Sequence, residues 1–236
     1  MSLVLDSIAI CLREAPLFKP LSLTVPAGTI VTIMGPSGCG KSTLLASICG
    51  MLDPGFSLSG TISLNGRCLN GIDMEHRRVG ILFQDDLLFP HLDVFGNMAF
   101  GLPARMSRGQ KRERVDRSLA AAGLVGFGDR DIATLSGGQK ARVSLLRALL
   151  AEPEAILLDE PFSKLDDNLR SSVKEFVFEQ IGRLDIPALL VTHDRSDSAD
   201  GAYIELNYRP SCLTDTALKL SNHCSILWPT ICVKKG

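Results

Sequence analysis

Thr29-Ile30-Val31-Thr32-Ile33-Met34-Gly35-Pro36-Ser37-Gly38-Cys39-Gly40-Lys41-Ser42 is the stretch that decides the fold. Its first half is a compact β-branched run that stops abruptly at Gly35, which is the pattern of a short strand. Its second half fits G-x-x-x-x-G-K-[ST] at every fixed position, and Lys41–Gly50 continues as a helix with no breaker inside it. Strand, glycine-rich turn and helix in that order make an anion cradle. Glycines let backbone N–H groups converge on a phosphate without side chains in the way. The helix adds its unpaired amides and the positive end of its dipole. On this reading Gly35, Pro36, Ser37, Gly38, Cys39, Gly40, Lys41, Ser42 and Thr43 hold a phosphate chain. Lys41 reaches the β- and γ-phosphates, and the Ser42 hydroxyl can ligate Mg²⁺. Cys39 fills a position that the motif leaves open and reads as a bystander thiol.

Working outward, Ala155-Ile156-Leu157-Leu158-Asp159-Glu160 is an apolar run that ends in two carboxylates. A buried strand delivering acids at its C-terminal end puts them where ligands bind in open α/β sheets. Asp159 is suited to hold Mg²⁺, and Glu160 to orient or deprotonate an attacking water. Further strands are expected around Leu3–Ile10, Leu21–Val25, Thr61–Leu64, Val79–Phe83 and Pro187–Thr192. Helical spacing recurs in Lys111–Ala122, Gln139–Ala151 and Asp167–Arg183, with Gly137 and Gly138 interrupting. Strands alternating with helices predict an α/β core with a mainly parallel sheet. An antiparallel β element precedes it, and a helical subdomain is inserted at about residues 85–150.

The chain carries 25 basic and 26 acidic residues, so its bulk charge gives no reason to expect nucleic-acid or lipid binding. The N-terminus lacks the basic-then-apolar order of a signal peptide, and no apolar run reaches the length that spans a bilayer. Seven Cys without a CxxC pair fit a reducing compartment better than a disulfide framework. One local basic cluster spans Arg105, Arg108, Lys111, Arg112, Arg114 and Arg117. Its default reading is a solvated helix face; contact with acidic headgroups or a partner loop is the sharper alternative.

Leu135-Ser136-Gly137-Gly138-Gln139 resembles the signature sequence of ABC ATPases, upstream of Asp159 in the order and rough spacing that family uses. Gln84 looks like the family's Q-loop glutamine, Ser163-Lys164-Leu165-Asp166 like its D-loop, and His193 like its H-loop histidine. The likeness runs from about residue 3 to residue 200. It implies the P-loop NTPase fold, ATP and Mg²⁺ as ligands, and ATP hydrolysis. It also implies two domains packed head to tail, with ATP between the phosphate loop of one and Ser136, Gly137, Gly138 and Gln139 of the other. In the roles carried over, His193 contacts the γ-phosphate, Gln84 approaches Mg²⁺ and the water, and Asp166 positions the opposing domain. The partners implied are a second copy or a homologous ATPase domain, transmembrane permease subunits and a solute-binding protein. Nucleic acid is not among them. The location implied is cytoplasmic, peripheral on the inner face of the cell membrane. Gln84–Val94 looks like the stretch after the Q-loop in importer ATPases, and its exposed Leu-Phe-Pro-His would form part of the groove for a coupling helix. Two other functions remain: a soluble ABC-type ATPase not coupled to transport, and a nucleotide-binding module with impaired turnover.

The sequence departs from the family in two places. Ile10-Cys11-Leu12-Arg13 lacks the early aromatic residue that stacks on adenine, so Leu12 is left to give apolar contact and Phe18 to substitute as a ring. The likeness fades after about Arg195, so residues 201–236 are expected to form a divergent, poorly ordered tail. In that tail Cys212, His223, Cys224 and Cys232 lack the short Cys pair of a structural zinc site.

Overall fold

The computed structural model describes residues 1–198 and 203–206. The residues considered above for zinc lie outside the described residues. In chain order the strands are β1 (Ser2–Leu12), β2 (Ala15–Pro16), β3 (Leu21–Pro26), β4 (Ile30–Met34), β5 (Phe56–Leu64), β6 (Arg67–Cys68), β7 (Val79–Leu82), β8 (Ala155–Asp159), β9 (Ala188–Thr192) and β10 (Ile204–Glu205). The helices are α1 (Lys41–Cys49), α2 (Met74–Arg77), α3 (Val94–Ala99), α4 (Arg108–Ala121), α5 (Gly137–Leu150) and α6 (Asp167–Leu184).

Two sheets form. The first is antiparallel, with β1 pairing β2, β3 and β5, and β6 on the far side of β5. Leu3, Leu5, Ile8 and Ile10 of β1 are all buried although 5 and 8 differ in parity. The register shift across Asp6–Ser7, with Ser7 at φ 52°, is what returns the apolar side chains to the same face.

The second sheet runs β10-β4-β9-β8-β7, all parallel. Its strands read as continuous apolar runs because both faces are covered. Ile33, Leu157, Leu189 and Val191 pack with Leu44, Leu45 and Ile48 of α1 and with the β1 side chains. The alternate residues Ile156, Leu158, Ala188 and Leu190 pack with α5 and α6 through Leu145, Leu146, Val173, Val177 and Ile181. The register sets Met34 opposite Thr192, Val191 opposite Asp159, and Leu158 opposite Leu82. Residues that follow these strands, including Gly35, Glu160, His193 and Gln84, therefore leave the sheet along one edge.

Three local expectations change. β5 begins at Phe56, five residues before the stretch Thr61–Leu64 expected as strand; Phe56-Ser57-Leu58-Ser59 itself alternates apolar and polar residues and pairs with β1, with Gly60 at φ +92° separating it from that stretch. Gly137 and Gly138 do not interrupt a helix but open α5, where first-turn amides need no intrahelical partner. The sheet also continues past residue 200. Ile204 and Glu205 pair with Ile33 and Met34, a two-residue edge strand too short to carry a periodicity.

Arg77, on a four-residue helix, is only 6 % exposed. Its Nη1 donates to the Ser47 and Ile48 carbonyls at 2.8 and 2.9 Å, and its Nε donates to the Ile72 carbonyl at 2.7 Å. A cation thus closes the negative end of the helix that begins at the phosphate loop. Arg77→Ala is expected to lose about 2 kcal/mol of stability, read as a lower urea midpoint at unchanged slope. Beside it Cys49 is fully buried, and burial pushes its thiol up to about 12, which makes it inert.

Candidate nucleotide site

Gly35 to Gly40 turn off the end of β4 under close packing. A side chain at Gly35 would come within 2.6 Å of Cys39 Sγ, and one at Gly40, where φ is +98°, within 3.2 Å of the Phe18 ring. Cys39 is buried at 3 % exposure, so it helps to shape the loop from beneath. Phe18 is 1 % exposed and supports the loop from the core, so it cannot be the ring that substitutes for the missing adenine stack. That expectation is corrected, and Leu12, half-buried at the end of β1, remains the apolar surface on that side.

Lys41 lies under the loop, 5 % exposed. Its ammonium donates to the Gly35 and Pro36 carbonyls at 2.8 and 3.1 Å and lies 3.7 Å from Glu160 Oε1. Ser42 Oγ donates to Asp159 Oδ1 at 3.1 Å, joining the first turn of α1 to the end of β8. Burial raises the Asp159 carboxyl above its ordinary range; the Ser42 hydrogen bond opposes this, the neighbouring Glu160 charge adds to it, and Lys41 offsets it. A half-buried carboxylate and a hydroxyl in contact are hard oxygen donors of the type Mg²⁺ takes, so the donor set fits that ion.

Glu160 points elsewhere than its neighbour because the chain turns sharply. Its φ is +46°, a conformation uncommon for a residue with a side chain, and Ser163 closes the turn by donating from N and Oγ to the Glu160 carbonyl. Asp159 is thereby directed to Ser42, and Glu160 to Lys41 and His193. His193 Nδ1 lies 3.0 Å from Glu160 Oε2.

Five of the expected residues, Lys41, Ser42, Asp159, Glu160 and His193, thus form one connected cluster. Gln84 joins less directly. Its amide donates to Ser163 Oγ at 3.4 Å, and among the described residues it shares no hydrogen bond with Ser42 or Asp159. The following carbonyls are strapped to α5. Ser144 Oγ and Arg147 Nη2 donate to the Asp86 carbonyl at 2.8 and 3.1 Å, and Arg147 Nη1 donates to that of Leu87 at 2.8 Å. Leu88 and Phe89 are half-buried while Pro90 and His91 are exposed, which narrows the four-residue exposed patch read from sequence.

Ser136–Gln139 is bound to its own helix. Ser136 Oγ accepts from Gln139 N and Gln139 Oε1 from Ser136 N, a reciprocal cap. Gly138 lies so close to α6 that a side chain there would meet Leu169 at 2.6 Å. Asp166 caps α6 in turn, its carboxylate accepting from Leu169 N at 3.0 Å. Among the described residues, the start of α1 lies beside the carboxylates, and the start of α5, also suited to an anion, lies without them.

Two features of the surroundings were not legible as site elements. Ser144 and Arg147 sit on the apolar face of a helix where no spacing marks them. Arg170, Asp194 and Asp197 form an ion-pair group around the ends of β9 and the start of α6. Three of the six residues of the basic cluster are matched by acids. Arg112 pairs with Asp116 and Asp129, Arg114 with Glu152, and Arg117 with Glu113. Among the described residues no helix is long and apolar enough to cross a membrane.

The ABC transporter family profile matches residues 18–163. The chain is 45 % identical over 205 residues to the uncharacterized ABC transporter ATP-binding protein YnjD of Escherichia coli K12, a match covering 86 % of this chain and 94 % of that protein. It is 40 % identical over 197 residues to the Fe(3+) ions import ATP-binding protein FbpC 1 of Haemophilus influenzae, covering 83 % of this chain and 59 % of that protein. For the FbpC 1 protein of Rhizobium meliloti the identity is 44 % over 179 residues, covering 75 % of this chain and 50 % of that protein. The chain therefore spans only 50 to 59 % of the length of these two iron-import proteins.

Proposed function

The chain belongs to the ABC transporter family as a transport-coupled ATP-binding subunit, and from that premise we propose that it hydrolyses ATP in a head-to-tail pair to drive import of a solute through separate membrane subunits. The observation that carries this reading is the cluster at the edge of the parallel sheet, where Lys41, Ser42, Asp159, Glu160 and His193 meet without outside help.

Lys41 exchanges its loop carbonyls for β- and γ-phosphate oxygens, and the amides of Gly38 to Thr43 complete the cradle. Ser42 and Asp159, with Gln84, are the residues that would hold Mg²⁺, whose charge compensates the phosphate oxygens and the half-buried carboxylate. Glu160 accepts the proton of the attacking water, and His193, hydrogen-bonded to it, faces the γ-phosphate. The second helix start explains the pairing. Ser136 offers a hydroxyl, and Gly137 and Gly138 offer first-turn amides but no acid, which suits them to cover a γ-phosphate bound to another copy. Asp166, capping α6 beside them, would meet the opposing copy. Import, with permease subunits and peripheral attachment to the inner membrane face, is supported by the iron-import proteins among the relatives and by the half-exposed segment after Gln84.

Ser136→Arg tests the pairing. A bulky cation at the N-cap is expected to abolish ATPase activity while a fluorescent nucleotide still binds the single chain with near-normal affinity. Hydrolysis left untouched would mean that the site does not span two copies.

A further inference from the structure

We propose that Arg170 is a positioning residue for hydrolysis, holding His193 at Glu160 through Asp194 and Asp197. The inference rests on the reading that His193 acts at the γ-phosphate, and it concerns how that ring is held.

Asp197 is a buried carboxylate, 1 % exposed, one of the few charged groups in the core. A buried charge persists only where it is paired and hydrogen-bonded. Arg170 supplies the pairing: its Nε donates to Asp197 Oδ1 at 2.8 Å, and its Nη2 lies 2.7 Å from the same oxygen and 2.8 Å from Asp194 Oδ2. Thr192 Oγ1 donates to the other Asp197 oxygen at 2.7 Å and itself accepts from Asp194 N at 3.1 Å. Asp194 also accepts from Ser196 N at 2.9 Å, and Lys174 of the same helix donates to the Ser198 carbonyl at 3.1 Å.

His193 stands between Thr192 and Asp194, and both of these neighbours are pinned by this group. The imidazole itself is more than half exposed. Its place opposite Glu160 is therefore set by the backbone on either side, and that backbone is set by Arg170. The guanidinium suits the task because its planar fork fixes the direction of several hydrogen bonds at once, which an ammonium does not. Arg170 also lies one helical turn after Asp166, to whose carbonyl its own N–H is bonded at 2.8 Å. The histidine is thus built onto the helix whose first residues are expected to face a second copy.

The test is steady-state ATPase activity of the full chain with a double-mutant cycle. Arg170→Met is expected to lower kcat roughly tenfold or more with KM for ATP little changed, as a displaced catalytic group does. Arg170→Lys should recover only part of the loss. In a His193→Ala background, Arg170→Met should cause no further fall. If Arg170→Met does not fold because Asp197 is left unpaired, Asp194→Asn removes only the outer contact and should show a smaller, equally non-additive loss. Where the double variants turn over too slowly to measure, imidazole ¹⁵N signals decide. Both substitutions should move the His193 signal and leave those of His76 and His91. Unchanged kcat, losses that multiply in the His193→Ala background, or an unmoved His193 signal would overturn the proposal. If His193→Ala alone keeps full activity, the role given to His193 fails, and that of Arg170 with it. A slow His193→Ala with multiplying losses sinks the positioning role alone.

Discussion

Glu160→Gln should stop turnover and leave ATP bound. The amide keeps the size and reach of the side chain, so the 3.0 Å contact with His193 and the neighbouring Lys41 can persist. What it loses is the ability to accept a proton from water. General-base removal costs roughly 10²–10⁴ in rate, so phosphate release should fall by at least about 100-fold. In the proposed head-to-tail pair release follows hydrolysis, so the variant should also accumulate as an ATP-bound dimer, visible as an earlier elution volume in the presence of ATP and Mg²⁺. Phosphate release at the wild-type rate would remove Glu160 from the chemistry and leave its strained φ of +46° without a catalytic explanation.

Lys41→Ala should cost most of the nucleotide affinity. The Lys41 ammonium is 5 % exposed and committed to two loop carbonyls, so it is already desolvated and already aimed at the cradle. A charge-assisted hydrogen bond contributes about 1.5–3 kcal/mol, so affinity should fall roughly 10- to 100-fold. The loss should be larger for ATP than for ADP, since the β- and γ-oxygens are the acceptors. A titration with a fluorescent ATP analogue at fixed ionic strength measures it. The same substitution takes a cation from near Asp159, whose carboxyl burial holds above its ordinary range, so the variant should also lose affinity more steeply as pH rises and that carboxyl ionises. Unchanged binding would mean that the loop at residues 35–42 is not a phosphate site.

Much of the site was readable because it is local. The phosphate loop lies on eight consecutive residues, and its chemistry depends on glycines and a lysine at fixed offsets that no other region has to supply. Asp159 and Glu160 follow an apolar run, and their place at a strand end is implied by the run itself. The reading was weaker where an element is very short or interrupted by a glycine. Phe56–Ser59 became strand through pairing with β1, and Ile204–Glu205 through pairing with β4. Phe18 was offered to adenine because it is aromatic and near in sequence; its burial under Gly40 depends on contacts that sequence distance does not report.

The sequence by itself determined the α/β class, the phosphate loop, the acidic strand end and the likeness to ATP-binding transport subunits, since each is written in short-range order. Only the tertiary structure decided which of those residues touch. Parallel register brings Met34 level with Thr192 and Asp159 level with Val191, so residues far apart in the chain leave the sheet side by side. It also decided that half-buried Arg170 and buried Asp197, unremarkable as letters, form an ion pair at the histidine. The physical reason is that a buried charge must find its partner in space, and the fold alone supplies that partner.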